Sequence, residues 1–300
     1  MNIIITGSQG FIANALLPTL VKNGHKIVKL IRTTTNIGKD EFHWDPYAGK
    51  LDTNVFDGVD AVIHLAGESI AEGRWTAAKK KRILESRTRP TRLLAETVAV
   101  CAHPPKVLIC ASAIGYYGDR GEEKLVEESS PGSDFLANVC REWEAATAPA
   151  AVKGIRVVSL RFGLILSPSG GALAKLLLPF RFGVGGILGS GKQYWGWIAI
   201  DDVVGAIHHA LVNQSVQGPV NVVAPSAVTN KEFTKVLGKV LSRPTLFPAP
   251  AFVLRLALGE MADALLLSSA RIEPKKLIST GYTFRYTQLE DALRSLLGKK

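Results

Sequence analysis

The chain has 300 residues, of which 47% are hydrophobic and 21% charged, with 28 glycines and 15 prolines. This balance is typical of a globular protein, and it excludes the collagen-like, disordered and disulfide-scaffold classes. The 36 Lys and Arg residues against 26 Asp and Glu give a net charge of +10, which suits anionic ligands such as phosphates or nucleic acid without deciding between them.

The first half of the chain alternates predicted strands and helices. Residues 2–6 form a short, β-branched run that stops at Gly7, and residues 11–21 carry apolar side chains at helical spacing. Similar patterns predict strands at 26–31, 59–65, 106–111 and 155–160, and helices at 77–99 and 134–148. Strands that alternate with helices predict βαβ units, and therefore an α/β fold with a doubly wound, mostly parallel sheet.

The second half is rich in glycine at first and then mainly helical. The tract 183–197 combines glycines with Trp195 and Trp197, and we interpret it either as a lid whose aromatic rings stack on a ligand or as simple loop packing. The helices predicted after it are one capped by Asp201 and Asp202 that ends near 212, one over 233–241 after a capping box of Thr229 and Glu232, and a mainly helical stretch over 248–297.

The three cysteines are Cys101, Cys110 and Cys140, and they form neither a C-x-x-C motif nor a Cys/His cluster. This predicts reduced thiols, a cytoplasmic location and no metal site. We expect no signal peptide, because the apolar run at the N-terminus is short and lacks a basic flank. We also expect no membrane segment, because no apolar run reaches the ~18 residues that a bilayer requires.

The first predicted turn has the pattern of a dinucleotide-binding loop. T-G-S-Q-G-F-I-A places Gly7, Gly10 and Ala13 in the spacing G-x-x-G-x-x-A, after a strand and at the start of a helix. Gly7 allows the tight turn, Gly10 lets the backbone approach a pyrophosphate, and Ala13 permits close packing of helix on strand. The alternative is a tight connection without a ligand.

The end of the second predicted strand distinguishes the two nicotinamide cofactors. An acidic residue there binds the ribose 2′-hydroxyl, whereas an Arg accommodates a 2′-phosphate. The sequence reads L-I-R-T-T-T, with Arg32 at this place, Thr33 beside it and no acid before Asp40. This predicts NADP(H) as the cofactor, and the alternative is a solvated Arg at a strand end.

Further strings along the chain are family-specific. They are W-D-P from Trp44, H-L-A-G-E-S-I from His64, A-S-A-I-G-Y-Y-G-D from Ala111, R-F-G-L-I-L from Arg161 and W-I-A-I-D-D-V from Trp197. With the glycine loop, they make nearly the whole chain resemble the atypical extended short-chain dehydrogenase/reductases of the sugar-nucleotide-epimerase-like family.

The resemblance implies an NAD(P)-binding Rossmann fold with strand order 3-2-1-4-5-6 and a smaller, mainly helical substrate domain. The first covers residues 1–165 with a return at about 198–225, and the second covers 166–197 and 226–300, including a helical module at about 248–296. The residues that it places at NADP(H) are Gly7, Gly10, Phe11 and Ile12 at the pyrophosphate, Arg32 at the 2′-phosphate, Leu65 and Ala66 along the riboses, Arg82 and Arg87 at a phosphate, and Ile165 near the nicotinamide.

The usual catalytic pair of this superfamily is missing. Short-chain dehydrogenases carry Tyr and Lys as Y-x-x-x-K on a helix, where the ammonium lowers the pKa of the Tyr so that it can move a proton. Leu136 and Cys140 stand at these positions, and neither can do this chemistry. The candidate catalytic residues are therefore Ser112, Tyr116 and Tyr117, with Tyr117 favoured; the alternative is that they are hydrogen-bonded turn residues.

Two functions remain open from the sequence. The first is an atypical NADP(H)-dependent oxidoreductase or epimerase that acts on a nucleotide sugar or another small carbonyl or alcohol. Ala199 weakens an ordinary epimerase interpretation, because extended members have His there in I-H-x-D-D. The second is a catalytically silent NADPH-binding sensor or partner protein. We expect a small-molecule partner and no nucleic acid, because no nucleic-acid motif accompanies the basic residues between Arg74 and Arg92; a homodimer stays open.

Overall fold

The computed structural model describes residues 1–35 and 37–299. The strands are, in chain order, β1 (Asn2–Thr6), β2 (Lys26–Ile31), β3 (Glu41–His43), β4 (Ala61–His64), β5 (Val107–Ala113), β6 (Lys124–Leu125), β7 (Arg156–Phe162), β8 (Leu164–Ser167), β9 (Tyr194–Trp195), β10 (Trp197–Ala199), β11 (Gly218–Val222), β12 (Val228–Thr229) and β13 (Arg271–Ile272).

The α-helices are α1 (Phe11–Lys22), α2 (Ala77–Val100), α3 (Phe135–Ala145), α4 (Ala148–Val152), α5 (Gly171–Arg181), α6 (Ile200–Val212), α7 (Asn230–Leu241), α8 (Ala251–Leu258), α9 (Glu260–Ala262), α10 (Lys275–Ser279) and α11 (Leu289–Leu296). One turn of π-helix (Asp263–Leu267) follows α9, and 3-10 turns lie at Thr53–Phe56 and Ile114–Tyr117. None of the described helices combines the length and the hydropathy of a membrane-spanning segment.

The main sheet is parallel throughout its described pairs, with the order β3-β2-β1-β4-β5-β7-β11. This confirms the predicted α/β fold and the order 3-2-1-4-5-6, with β7 as the sixth strand of the sheet and β11 added beyond it. The sequence did not predict β3, because this edge strand has three residues and none of them is buried.

The alternation of side chains along the strands explains the two layers of helices. Successive residues of a strand point to opposite faces, and both faces of a parallel sheet are usually covered. Ile3 and Ile5 therefore belong to the core under α1 and α6, whereas Ile4 belongs to the core under α2 and α4. All three side chains are fully buried, and burial of one such side chain contributes about 1.5–3 kcal/mol to folding.

A second, smaller core lies among α5, α7 and α11 and includes Trp197 and Phe233. Helix α7 begins with the predicted capping box, in which Thr229 and Glu232 exchange hydrogen bonds with each other's backbone N–H. The strong N-terminal signal explains why the sequence located this helix well.

The prediction that Asp201 and Asp202 cap α6 is wrong, because Ala199 is the N-cap and both acids lie in the first turn. The carboxylate of Asp202 is buried and accepts hydrogen bonds from the hydroxyl of Tyr282 (2.9 Å) and the backbone N–H of Arg285 (2.7 Å). Asp202 thus ties the C-terminal segment to helix α6 of the Rossmann fold.

Candidate functional site

A cleft of about 610 Å³ lies at the carboxyl ends of β1, β2 and β4. From β1 the chain first adds β2 and β3 on one side of the sheet. It then crosses over and adds β4 on the other side of β1, so the strand order reverses here. Open α/β sheets bind ligands in the crevice at such a switch point. The lining includes Gly7, Gly10, Arg32, Thr33, Leu65, Ala66 and Glu68.

The glycine turn brings the backbone of β1 against that of β4. Gly7 has φ +68°, and a Cβ there would lie 2.8 Å from the backbone nitrogen of Ala66. A side chain at this position would therefore be strained and would collide with backbone. Gly10 donates its N–H to the carbonyl of Gly7 (2.8 Å) and is the N-cap of α1.

The N-terminus of α1 offers partial positive charge to the cleft. Gly10 has no side chain to cap the helix, and the first turn contains no acidic residue. The first backbone N–H groups of a helix lack partners within the helix, so an uncapped N-terminus is suited to a phosphate. This arrangement fits a pyrophosphate, as the sequence predicted for Gly7 and Gly10.

The end of β2 carries the predicted selectivity residues. Arg32 and Thr33 are both exposed and both line the cleft. Within the described residues, Glu68 is the one acid that lines it, and this residue follows β4 rather than β2. A hydrogen bond from Lys79 (2.7 Å) lowers the pKa of the Glu68 carboxyl, and Arg82 lies 3.3 Å from the same carboxylate.

A separate cavity of about 270 Å³ lies among α3, β9 and the segment around the π-helix. Helix α3 contributes Leu136, Val139, Cys140 and Trp143, and β9 contributes Tyr194 and Trp195. The C-terminal segment contributes Ala264, Leu265, Ser268 and Ala270. Its walls are thus mainly apolar and aromatic.

Arg87 lies between the cleft and the cavity. Its side chain lines the cavity, and its guanidinium donates hydrogen bonds to the backbone carbonyls of Glu68 (3.0 Å) and Ile83 (3.1 Å) and lies 5.0 Å from the ring centroid of Trp143. Burial lowers the pKa of this guanidinium. Glu68 lines the cleft, so Arg87 connects the walls of the two spaces.

The remaining predicted cofactor residues lie away from the lining of the cleft. The ring of Phe11 packs so closely on Gly170 that a Cβ there would lie 2.6 Å from Phe11 Cδ2. Ile12 and Ile165 pack against the main core. The structure therefore places Phe11 against the loop before α5, and Ile12 and Ile165 against the main core.

Ser112 and Tyr117 belong to a buried polar network, and the half-buried ring of Tyr116 packs against it. Ser112 donates a hydrogen bond to Glu144 (2.7 Å), which also accepts two hydrogen bonds from Arg161, each 2.8 Å long. The guanidinium carbon of Arg161 lies 3.4 Å from the ring centroid of Tyr116. In the described part of the chain, Ser112 and Tyr116 are absent from the lining of both the cleft and the cavity.

Tyr117 is the most enclosed of the three. Its side chain is fully buried, and its hydroxyl donates to Asn221 (2.7 Å) and accepts from Arg161 (2.9 Å). Burial raises the pKa of Tyr117 to about 12. Because protein groups enclose the hydroxyl, a ligand cannot contact it in this structure. This favours a supporting role for Tyr117.

The sequence missed most of the cavity wall. Tyr194, Ala264 and Leu265 carry no local motif, and only the fold brings them to α3. Of the two tryptophans in the predicted lid, Trp195 lines the cavity, whereas Trp197 is fully buried and donates its Nε1–H to the carbonyl of Ser226 (2.8 Å).

Comparisons with known proteins agree with this geometry. The NAD dependent epimerase/dehydratase family model matches residues 3–224, and a domain of unknown function, DUF1731, matches residues 249–296. The epimerase family protein MT2273 of Mycobacterium tuberculosis is 40% identical over 97% of this chain and 96% of its own length. These matches cover both parts of the chain.

Solved structures that are similar to the chain include the following two. The human epimerase family protein SDR39U1 (isoform 2), solved with NADPH, has a TM-score of 0.91 at 33% identity and covers 100% of both chains. MoeE5, solved with UDP-glucose and NAD, has a TM-score of 0.77 at 20% identity over 99% of this chain and 98% of its own, which shows the fold alone. The chain therefore belongs to the NAD dependent epimerase/dehydratase family, with a C-terminal DUF1731 domain.

Proposed function

We propose that the protein is an NADP(H)-dependent oxidoreductase of the short-chain dehydrogenase type that acts on a small carbonyl or alcohol compound. One observation supports this proposal most directly: a single segment of the chain contributes to the wall of the cleft and to the wall of the apolar cavity. Leu65–Glu68 lines the cleft, Ile70 lines the cavity, and Arg87 is hydrogen-bonded to the backbone between them. A dinucleotide bound in the cleft would therefore lie next to an apolar chamber.

The proposed cofactor site uses the backbone of Gly7 and Gly10 for the pyrophosphate and Arg32 with Thr33 for the 2′-phosphate. Leu65 and Ala66 line the path of the riboses, and the NADPH complex of the human relative supports this choice of cofactor. When bound, the reduced nicotinamide supplies a hydride. Arg82 and Arg87 act through Glu68, whose carboxylate and carbonyl they contact.

The residues of the cavity exclude water and hold the substrate. Apolar walls remove the solvent that would compete for a polarised carbonyl. Ser112, Tyr116 and Tyr117 stay candidates for catalysis, but their contacts support a positioning role. Through Glu144 and Arg161, they fix the wall that carries α3.

A second function rests on Leu136 and Cys140. Both line the cavity at the places of the usual Tyr and Lys. Leu136 has no proton to give, and burial raises the pKa of the Cys140 thiol to about 12. A protein without a positioned acid can bind NADPH without turnover, which would make it a sensor or a partner protein.

Calorimetry followed by turnover assays separates these functions. The purified protein is titrated with NADPH and with NADH, and NADPH oxidation is then followed with a panel of carbonyl compounds. Tighter binding of NADPH together with oxidation supports the oxidoreductase. Tight binding without oxidation across the panel supports the sensor, and no binding contradicts both.

We further propose a reducing, cytoplasm-like compartment. Cys101, Cys110 and Cys140 are all free thiols in the structure, and free thiols persist in reducing compartments. Fractionation of cells that produce the protein, with thiol labelling of each fraction, tests this. Recovery of the protein in an oxidised form outside the cytoplasm would contradict it.

A further inference from the structure

We propose that the cavity takes an uncharged, planar acceptor of the quinone class rather than a nucleoside diphosphate sugar. This inference rests on the proposed function, because the reductant is NADPH in the adjoining cleft. It uses three features of the cavity: its charge, its walls and the presence of Leu136 and Cys140 where Tyr and Lys usually stand.

The charge of the cavity does not match a diphosphate. Within the described part of the chain, Arg87 is the one cation that lines it, and its guanidinium already bonds two backbone carbonyls. Asp134 is the one lining acid, and its carboxylate accepts from the backbone N–H of Ala137 (2.8 Å) as the N-cap of α3. A diphosphate that entered the cavity would lose its hydration without gaining a free cation, and it would lie near the carboxylate of Asp134. Both effects disfavour its binding.

The size and the walls suit a compound of one or two rings. Ligand cavities for drug-sized molecules measure roughly 300–1,000 Å³, and this one measures about 270 Å³. Four aromatic side chains line it: Trp143, Phe162, Tyr194 and Trp195. Aromatic rings stack favourably on other planar rings, so the walls favour a flat ligand.

Trp195 combines an unpaired buried N–H with a ring that lines the cavity. Its Nε1 is buried and has no hydrogen-bond partner among the described residues, although the ring lines the cavity. Buried N–H groups are nearly always paired. The unpaired Nε1 is itself enclosed, so the part of Trp195 that a ligand in the cavity meets is its aromatic ring.

The chemistry of a quinone removes the need for a protein acid. The quinone accepts a hydride from NADPH: the C–H bond of the donor breaks, an O–H bond forms at one quinone oxygen, and the electron pair makes the ring aromatic. The other oxygen becomes a phenolate, which takes one proton from water, so that NADPH, H⁺ and quinone give NADP⁺ and hydroquinone. An ordinary ketone would form an alkoxide, which needs the acid that Leu136 and Cys140 do not provide.

Binding to the protein without cofactor tests the ligand class independently of turnover. Titration calorimetry compares the naphthoquinone menadione with UDP-glucose. Ala264→Phe fills the cavity from the C-terminal segment, and Ala257→Phe places the same side chain on the exposed face of α8, away from the cavity. We expect menadione to bind at least tenfold tighter than UDP-glucose, and Ala264→Phe alone to weaken it at least tenfold. Tighter binding of UDP-glucose, or equal effects of both variants, would overturn the proposal.

Turnover completes the test and separates it from the proposed function. NADPH oxidation should be at least tenfold faster with menadione than with simple ketones, and Ala264→Phe should lower the menadione rate at least tenfold while Ala257→Phe changes it by less than about twofold. A rate with simple ketones equal to or above the menadione rate would show that the cavity contains a working acid and would overturn the quinone assignment. If NADPH binds but menadione does not, this inference fails while the proposed function stands; if menadione binds but NADPH does not, the proposed function fails.

Discussion

The cleft and the cavity differ in how the chain builds them. The cleft is made of backbone and a few side chains at three neighbouring strand ends, and most of its residues follow β1, β2 or β4 directly. The cavity is made of side chains from segments between Ile70 and Ala270, which meet only in the folded protein. A ligand site that depends on backbone geometry leaves a local motif, whereas one that depends on packing does not.

The largest expected effect is at the glycine turn of the cleft. Gly10→Val should abolish dinucleotide binding, with Kd raised by more than about a hundredfold, because the branched side chain occupies the space of the pyrophosphate. A Cβ at Gly10 would meet only the carbonyl of Gly7, at 3.0 Å, so the fold should persist. The cofactor-induced shift in Tm measures binding.

Asn14→Val is the matched control for this change. It places the same side chain on the exposed face of α1, outside the lining of the cleft. It should keep the cofactor-induced shift in Tm. A full shift in Gly10→Val would mean that the turn is only a structural connection.

A smaller effect is expected at the selectivity residue. Arg32→Ala should remove most of the preference for NADPH over NADH, because a charge-assisted phosphate contact contributes roughly 1.5–3 kcal/mol, or about tenfold to a hundredfold in affinity. Calorimetric Kd values for both cofactors measure this. Arg92→Ala, which removes the same charge from the exposed side of α2, should leave the ratio unchanged. Equal affinities of the unmodified protein for NADPH and NADH would contradict the prediction.

The strand that ends at the cleft also predicts a pH dependence of stability. His64 is fully buried and shares a hydrogen bond of 2.6 Å with Thr6, and burial lowers its pKa to about 3. A lowered pKa in the folded state gives stability that is complete above about pH 6.5 and is lost as the pH falls toward 3. The loss is about 1.4 kcal/mol per pH unit, or about 2 kcal/mol at pH 5.

Urea unfolding at pH 7 and pH 5 measures this difference. His64→Leu should flatten the pH dependence between these values, whereas His103→Leu, at an exposed position, should not. The same slope in His64→Leu as in the unmodified protein would assign the acid sensitivity to other groups.

The contrast between the cleft and the cavity also shows which structural features the sequence could predict. Strands and helices with strong apolar periodicity or caps were located within a few residues, as α7 and its capping box show. Gly7, Arg32 and Leu65, which the sequence predicts at the cofactor, do line the cleft, because they have fixed places relative to strand ends. It could not assign Tyr194 or Ala264 to the cavity, because side-chain packing across distant segments decides their neighbours.

The candidate catalytic tyrosines show the same limit in another form. The sequence places Tyr117 directly before Gly118, near the expected substrate, and from this it predicts a loss of activity in Tyr117→Phe. The structure shows instead that the hydroxyl is enclosed between Arg161 and Asn221. Proximity in sequence to a functional strand end does not tell which way a side chain turns.

The smallest expected effect on turnover is therefore in Tyr117→Phe. A positioned proton donor contributes about 10²- to 10⁴-fold, whereas we expect kcat to change by less than about threefold because the hydroxyl supports the wall rather than the ligand. The free energy of unfolding should fall by about 1–3 kcal/mol, since Arg161 and Asn221 each lose a buried partner. Steady-state assays across pH, with Tyr116→Phe for comparison, separate the two roles. A hundredfold loss of kcat at unchanged Tm, together with a shifted pH profile, would show that Tyr117 is a catalytic residue. It would also mean that the wall of the cavity opens during the reaction.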